Sequence, residues 1–309
     1  MVTVAEEWFA ICAGCEVAVL DIGDGLLDLL PKLQFVHMPV LVDHKYFGQR
    51  GERHAEGATV PAADVGIITG SIRNEEHVHL AKEMREKCKV LIALGSCSAF
   101  GGIPALANLT TTGELVTKVY RGSKSTPAAD PPSRDIPPLL DRVYSLAEVV
   151  KPDVVIPGCP PEPTMIAEAL VALLEGKPFA LPQKSVCDDC PTKREKKAVT
   201  ALKRPLEPIP FEPLAETRCF MEQGFLCLGP NTRGGCAGKR GAPRCIESYM
   251  PCRGCFGPVR DGSNPMVDMV TALASVGLDA KDIPDRTGTF NRYSGAQGRL
   301  RPPATRRQP

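Results

Sequence analysis

With 309 residues, 43% of them apolar and 24% charged, the chain is long enough to bury a substantial core and to divide into two unequal domains. A net charge of +1 excludes a general basic field for nucleic acid and an acidic bias toward disorder. Residues 1 to 30 carry neither a basic segment followed by an apolar one nor a twin arginine, and no continuous apolar run of about 18 residues occurs, so the chain reads as cytoplasmic with no membrane span.

In chain order, the first half alternates strand-like and helix-like runs. Thr3 to Ile11 predicts a strand, followed by a helix whose Val19, Ile22, Leu26, Leu29 and Leu30 share a face before Pro31 stops it. Gln34 to Val42 and Val65 to Thr69 predict further strands. Glu75 to Lys87 reads as a charged surface helix, Val90 to Leu94 as a buried strand, and residues 106 to 137 as a long surface connection. Leu139 to Val150 predicts a helix, Val154 to Ile156 a short strand, and Glu162 to Glu175 a helix with Ile166, Leu170, Leu173 and Leu174 aligned. This alternation predicts an α/β fold with a doubly wound parallel sheet over residues 1–181. Residues 182–309 form the second predicted unit. Up to about residue 265 it is rich in Cys, Gly and Pro with little apolar periodicity, so its fold requires something besides a large core. The stretch from Ile283 is expected to wrap a partner.

Thirteen cysteines dominate the chemistry. In a reducing compartment such a count favours metal binding over disulfides. Cys12 and Cys15 in CAGC, Cys97 in GSCSAFGG and Cys159 in PGCPPEP each follow a predicted strand. In a doubly wound sheet those loops emerge on one carboxyl edge, so cysteines far apart in sequence converge. Cys187, Cys190, Cys219, Cys227, Cys236, Cys245, Cys252 and Cys255 crowd into the second unit. Twelve thiolates suit three iron-sulfur clusters, each with four soft ligands. Structural zinc is the rival for the last eight, where the CDDC and CRGC pairs could form one four-cysteine knuckle, but zinc does not explain the dispersed first set. The compact bacterial ferredoxin run and the plant-type spacing are both absent. Cys88, late in the predicted helix, is left over and reads as a small buried apolar side chain.

CAGCE, GSCSAFGG and PGCPPEP, followed by CDDC, CLGP, GGC and MPCRGC, resemble the small subunit of nickel-iron hydrogenases over nearly the whole chain. The resemblance implies a flavodoxin-like domain with a proximal 4Fe-4S cluster on Cys12, Cys15, Cys97 and Cys159. It also implies a medial 4Fe-4S cluster on Cys236, Cys245, Cys252 and Cys255, and a distal one on Cys187, Cys190, Cys219 and Cys227. Membrane-bound uptake members have a histidine where Cys187 stands, and often lack the fourth medial cysteine that Cys245 supplies. Those departures resemble the cytoplasmic, methyl-viologen-reducing, coenzyme F420-non-reducing type that feeds heterodisulfide reductase. The implied partners are a large subunit carrying the nickel-iron site and an electron-acceptor subunit, either a 2Fe-2S or flavin protein or heterodisulfide reductase.

Glu16, directly after Cys15, has two readings: a carboxylate that relays protons between subunits or tunes the proximal cluster, and a first-turn acid favoured by the helix dipole. His37, His44, His54, His77 and His79 have no ligand-like spacing with the cysteines. Asp188 and Asp189 read as solvated loop charges. The basic run from Lys193 to Arg204 and the tail with Arg299, Arg301, Arg306 and Arg307 read as solvated faces or protein docking surfaces, not nucleic-acid sites.

Overall fold

The computed structural model describes residues 1–42, 44, 59–196, 198–203 and 207–302. His54, Lys197, Arg204, Arg306 and Arg307 lie outside the described residues. In chain order the elements are β1 (Val2–Trp8), α1 (Gly14–Leu20), α2 (Asp24–Leu29), β2 (Leu33–His37), α3 (Pro39–Val42), β3 (Ala63–Thr69), β4 (Ile72–Asn74), α4 (Glu75–Lys87), β5 (Cys88–Leu94) and α5 (Gly95–Phe100). They continue with α6 (Thr112–Tyr120), β6 (Leu139–Tyr144), β7 (Val154–Ile156), α7 (Pro163–Leu174), α8 (Arg244–Glu247), α9 (Pro265–Ala274) and α10 (Arg286–Phe290).

Five strands form a parallel sheet in the order β2-β1-β3-β5-β7. Counting those strands alone, this is the 2-1-3-4-5 order of the flavodoxin-like doubly wound fold. Alternation along the strands sorts the core. Val4, Val65, Ile67, Ile92, Leu94 and Ile156 pack with Ala18 of α1 and Met165, Ile166, Ala169 and Leu170 of α7. Ala5, Ile68, Leu91 and Ala93 turn the other way, onto Leu80, Ala81 and Met84 of α4. Both faces are therefore covered, and the loops after β1, β5 and β7 share the carboxyl edge.

Several local expectations give way to tertiary contacts. The single helix expected after the first strand is two, α1 and α2, because the chain turns at Asp21 to Gly23, where Gly23 adopts φ +68°. The strand expected over Gln34 to Val42 ends at His37; Pro39 opens α3, and Val42 N–H bonds Met38 C=O at 3.0 Å. Leu139 to Val150 is not an α-helix. The Asn108 side chain takes both backbone groups of Val143, accepting from its N–H at 2.8 Å and donating to its C=O at 2.9 Å, and β6 pairs antiparallel with β4. The excursion over 106–137 contains α6, started by a reciprocal capping box between Thr111 and Glu114. Cys88 is not in a helix but opens β5, buried, facing Ala63 in the register and Gly66 on the neighbouring strand.

Beyond residue 181 regular structure is sparse, apart from α9, which apolar periodicity had not marked. The apolar packing is nonetheless larger than expected from sequence. Val186, Met221, Leu228, Phe256, Met269 and Leu273 are continuous with the main core, and Phe220, Phe225 and Ile246 form a second nucleus. Between Ile283 and residue 302 the stretch makes contacts within the chain: Ala296 N–H bonds Phe100 C=O at 3.1 Å, Ser294 bridges Gly102, and Leu300 is fully buried. No described helix is long and apolar enough to cross a membrane.

Candidate metal centres

Three groups of cysteines gather, and all thirteen are free thiols. Cys12 follows β1, with Cys15 in the first turn of α1; Cys97 lies on α5 just past β5, and Cys159 lies past β7. Burial, then the charge of Glu16, Cys97, Cys159 and Cys12, pushes the Cys15 thiol far up. Burial and the charge of Cys159 and Cys12 hold Cys97 up to about 12. Close approach of backbone to this set demands glycine. A Cβ on Gly95 would overlap the Cys15 sulfur, and one on Gly102 would overlap that of Cys97, while both residues have positive φ (+85° and +55°).

The second unit supplies two more groups. Cys187 is held up to about 12 by burial and by nearby Cys190 and Cys219, with Arg194 opposing. Cys187 and Cys227 sulfurs both lie within 3.5 Å of where a Gly229 Cβ would sit. Cys227 is raised to about 12 by burial, with Cys187 and Cys219 also contributing. In the other group burial raises Cys236 to about 11 with Cys245 beside it. Burial also raises Cys255 to about 12, with Cys245 and Cys236 adding to it. It pushes Cys252 well above the ordinary thiol, next to Cys227, Cys255 and Cys245.

The groups touch in series. The Cys159 N–H faces the Cys255 sulfur, and Cys252 N–H donates to the Cys227 sulfur at 3.3 Å. Other amides also aim at sulfur: Ile103 at Cys97, Arg244 at Cys236 and Gly254 at Cys252. Crowded thiols that raise one another, glycine cradles pressed onto sulfur and N–H groups directed at sulfur fit thiolates bound to a positively charged iron-sulfur core. Ser98 adds to that fit. Beside Cys97 and fully buried, its hydroxyl has no hydrogen-bond partner among the described residues. Nor, among the described residues, do three His, Cys, Asp or Glu side chains form a group that could hold a single metal ion.

Glu16 is 3% exposed, next to Glu6 of β1, whose carboxyl is raised well above the usual range by burial and then by the Glu16 charge. Glu6 was invisible in the sequence, where a strand glutamate reads as surface. His37 takes a core role: it is buried against Glu7, with Nε2 at 2.6 Å from Oε1. Asp188 and Asp189 are not merely solvated. Asp188 accepts from Ser185 N–H and Oγ at 2.7 and 2.9 Å, and Asp189 pairs with Lys184 at 2.5 Å. Sequence reading also missed Glu162 of PGCPPEP, buried and salt-bridged at 2.9 Å to both Arg240 and Arg244. Arg244 reaches further to the carbonyls of Pro160 and Pro161 at 3.1 and 3.2 Å. The motif flagged the loop, but nothing local connects it to arginines about eighty positions away.

A flavodoxin-order sheet presenting cysteines on its carboxyl edge, followed by a cysteine-dense unit, defines an iron-sulfur oxidoreductase subunit. Residues 12–173 match the family described as NADH ubiquinone oxidoreductase, 20 Kd subunit. A subunit of the vhu F420-non-reducing hydrogenase of Methanocaldococcus jannaschii is 40% identical, with 92% of this chain and 91% of the relative covered. The iron-sulfur subunit of the F420-non-reducing hydrogenase of Archaeoglobus profundus is 33% identical over 92% of each chain. Among solved structures, the NiFeSe hydrogenase of Dm. baculatum shares the fold with a TM-score of 0.55 at 16% identity, covering 90% of this chain and 99% of that one. The chain belongs to the family of nickel-iron hydrogenase small subunits, in its F420-non-reducing group.

Proposed function

We propose that this chain is the electron relay of its hydrogenase, holding three 4Fe-4S clusters in line. The observation that supports the reading best is the adjacency of cysteines far apart in sequence, Cys252 N–H donating to the Cys227 sulfur and Cys255 lying beside Cys159, Cys236 and Cys245. Cys12, Cys15, Cys97 and Cys159 would hold the proximal cluster, Cys236, Cys245, Cys252 and Cys255 the medial one, and Cys187, Cys190, Cys219 and Cys227 the distal one. When bound, such clusters each store and pass on one electron. The protein's part is to space the thiolates, aim backbone N–H groups at sulfur and exclude water. Residues 1–181 would carry the first site and 182–309 the other two.

Cys12 and Cys159 are exposed, and so are the apolar Trp8, Val17, Leu20 and Ile103 in the segments that follow β1 and α5 or end β1. Exposed large apolar side chains close in sequence to the proximal cysteines fit a permanent partner. That partner would be the large subunit with the nickel-iron site. Electrons would leave from the far end, past Cys187, Cys190 and Cys219, to an acceptor subunit, a 2Fe-2S or flavin protein or heterodisulfide reductase, in the cytoplasm. Glu16, buried between the proximal cysteines and Glu6, suits a proton relay at the subunit junction.

The test is metal and acid-labile sulfide analysis of the anaerobically purified complex. The reading expects about twelve iron and twelve sulfide per chain, with reduced 4Fe-4S signals and no obligatory 3Fe-4S signal. Zinc without sulfide would make the C-terminal sites structural, and a strong 3Fe-4S signal in undamaged protein would remove Cys245 from the ligand set.

A further inference from the structure

Ser96 stands between Leu94-Gly95 and Cys97, 1% exposed, and its backbone and side chain are both engaged. Its N–H donates to Gly158 C=O at 2.9 Å, and its hydroxyl accepts from Gly158 N–H at 3.0 Å. The same hydroxyl donates to the backbone C=O of Cys255, a residue 159 positions away. One side chain thus ties three loops together: the one bearing Cys97, the one bearing Cys159 and the one bearing Cys255. The Cys159 N–H on the Cys255 sulfur lies at the same joint. The Glu162 salt bridges to Arg240 and Arg244 clamp the Cys159 loop to the segment between Cys236 and Cys245.

Neighbouring contacts explain why a hydroxyl is needed there. The Cys255 carbonyl and the Gly158 N–H are buried backbone groups, and each would lose a partner if the oxygen were removed. Among the described residues, no other side chain is hydrogen-bonded to either group.

We propose that Ser96 is a positioning residue for the proximal-to-medial electron step: its hydroxyl holds the Cys159 and Cys255 loops in the arrangement that lets one electron pass from the first site to the second. No bond forms or breaks and no proton moves; the site on Cys159 is oxidised by one electron and the site on Cys255 reduced by one. The inference rests on the three-cluster reading.

The test compares the anaerobic complex of wild type, Ser96→Ala and Ser96→Thr by iron content, electron paramagnetic resonance and rapid freezing after mixing with hydrogen. The expected result has four parts. All three hold wild-type iron, and all exchange hydrogen isotopes at the partner's site at the wild-type rate. Ser96→Ala shows weakened magnetic coupling between the two reduced sites and slower reduction of the medial site. Ser96→Thr, which keeps the hydroxyl, restores both. Unchanged coupling and rate in a fully loaded Ser96→Ala complex would overturn the assignment, as would threonine behaving like alanine. Loss of iron in Ser96→Ala would overturn it too, since the hydroxyl would then retain clusters rather than place them. A wild-type complex without about twelve irons would instead refute the cluster reading, independently of Ser96.

Discussion

At the residue scale, backbone conformation and burial decide the site. Gly102 has φ +55°, and a Cβ there would overlap the Cys97 sulfur and come within 2.7 Å of the Cys97 Cα. Gly102→Ala is therefore expected to lose the proximal iron, about four of about twelve atoms, while the other two sites stay loaded; iron analysis with electron paramagnetic resonance checks it. His77 gives a pH dependence. Its ring stacks on Phe9, 4.7 Å between centroids, and burial lowers its pKa from 6.5 to about 4 despite a backbone hydrogen bond at Ser71. Between those values the unfolded chain binds a proton that the folded chain refuses, so this group's contribution to stability falls as pH drops from about 6.5 and levels off below about 4. Denaturant titrations across that range should show the slope, and His77→Phe should flatten it; an unchanged slope would assign the proton uptake elsewhere. Glu6 acts in the opposite sense. Its raised pKa favours the folded state at low pH and withdraws that support as the carboxyl ionises in its buried place.

At the scale of elements, β1, β3 and β5 form the centre of the sheet, with register pairs such as Ile67 to Ile92 and Thr69 to Leu94 buried. The loops between residues 182 and 258 have short 3-10 turns and backbone contacts around the cysteines instead of a sheet. Metal binding in such a segment contributes directly to its folding free energy. Removing iron should bring the amides of residues 182 to 258 toward unprotected exchange while those of β1, β3 and β5 stay protected. The apolar continuity of Phe256, Met269 and Leu273 with the main core places α9 on the protected side. Equal protection in both regions would show that apolar packing, not the clusters, organises the cysteine-rich loops.

For the whole molecule, relay and chemistry separate by mutation. Cys252 sits where the second and third groups meet, its N–H on the Cys227 sulfur. In a nickel-loaded complex Cys252→Ser should slow hydrogen-dependent dye reduction at least about tenfold, a barrier change of about 1.4 kcal/mol, and spare hydrogen-deuterium exchange at the partner's site, which needs no long-range electron exit. Loss of that exchange would place this chain in the chemical step. Cys88→Ser is the contrasting case. Cys88 opens β5 and packs beside Gly66 in the α4-side core. Its replacement by a polar hydroxyl should lower stability by about 1–3 kcal/mol in thermal unfolding and leave both assays intact.

Much was legible in the sequence because it depends on local chemistry. Strand and helix periods sorted residues to the two faces of a parallel sheet, and the cysteine motifs marked the family. Leu139 to Tyr144 escaped because its helical spacing was overridden by a distant asparagine, Asn108, that claims the backbone of Val143. Glu6 escaped because its burial beside Glu16 depends on the packing of α1 against β1. Only the tertiary structure decided how the groups connect: Cys159 on Cys255, Cys252 on Cys227, and Ser96 and Glu162 across the first joint. Those contacts join residues tens to well over a hundred positions apart. A one-dimensional pattern carries the identity of each cysteine, but which of them meet is set by how the loops pack.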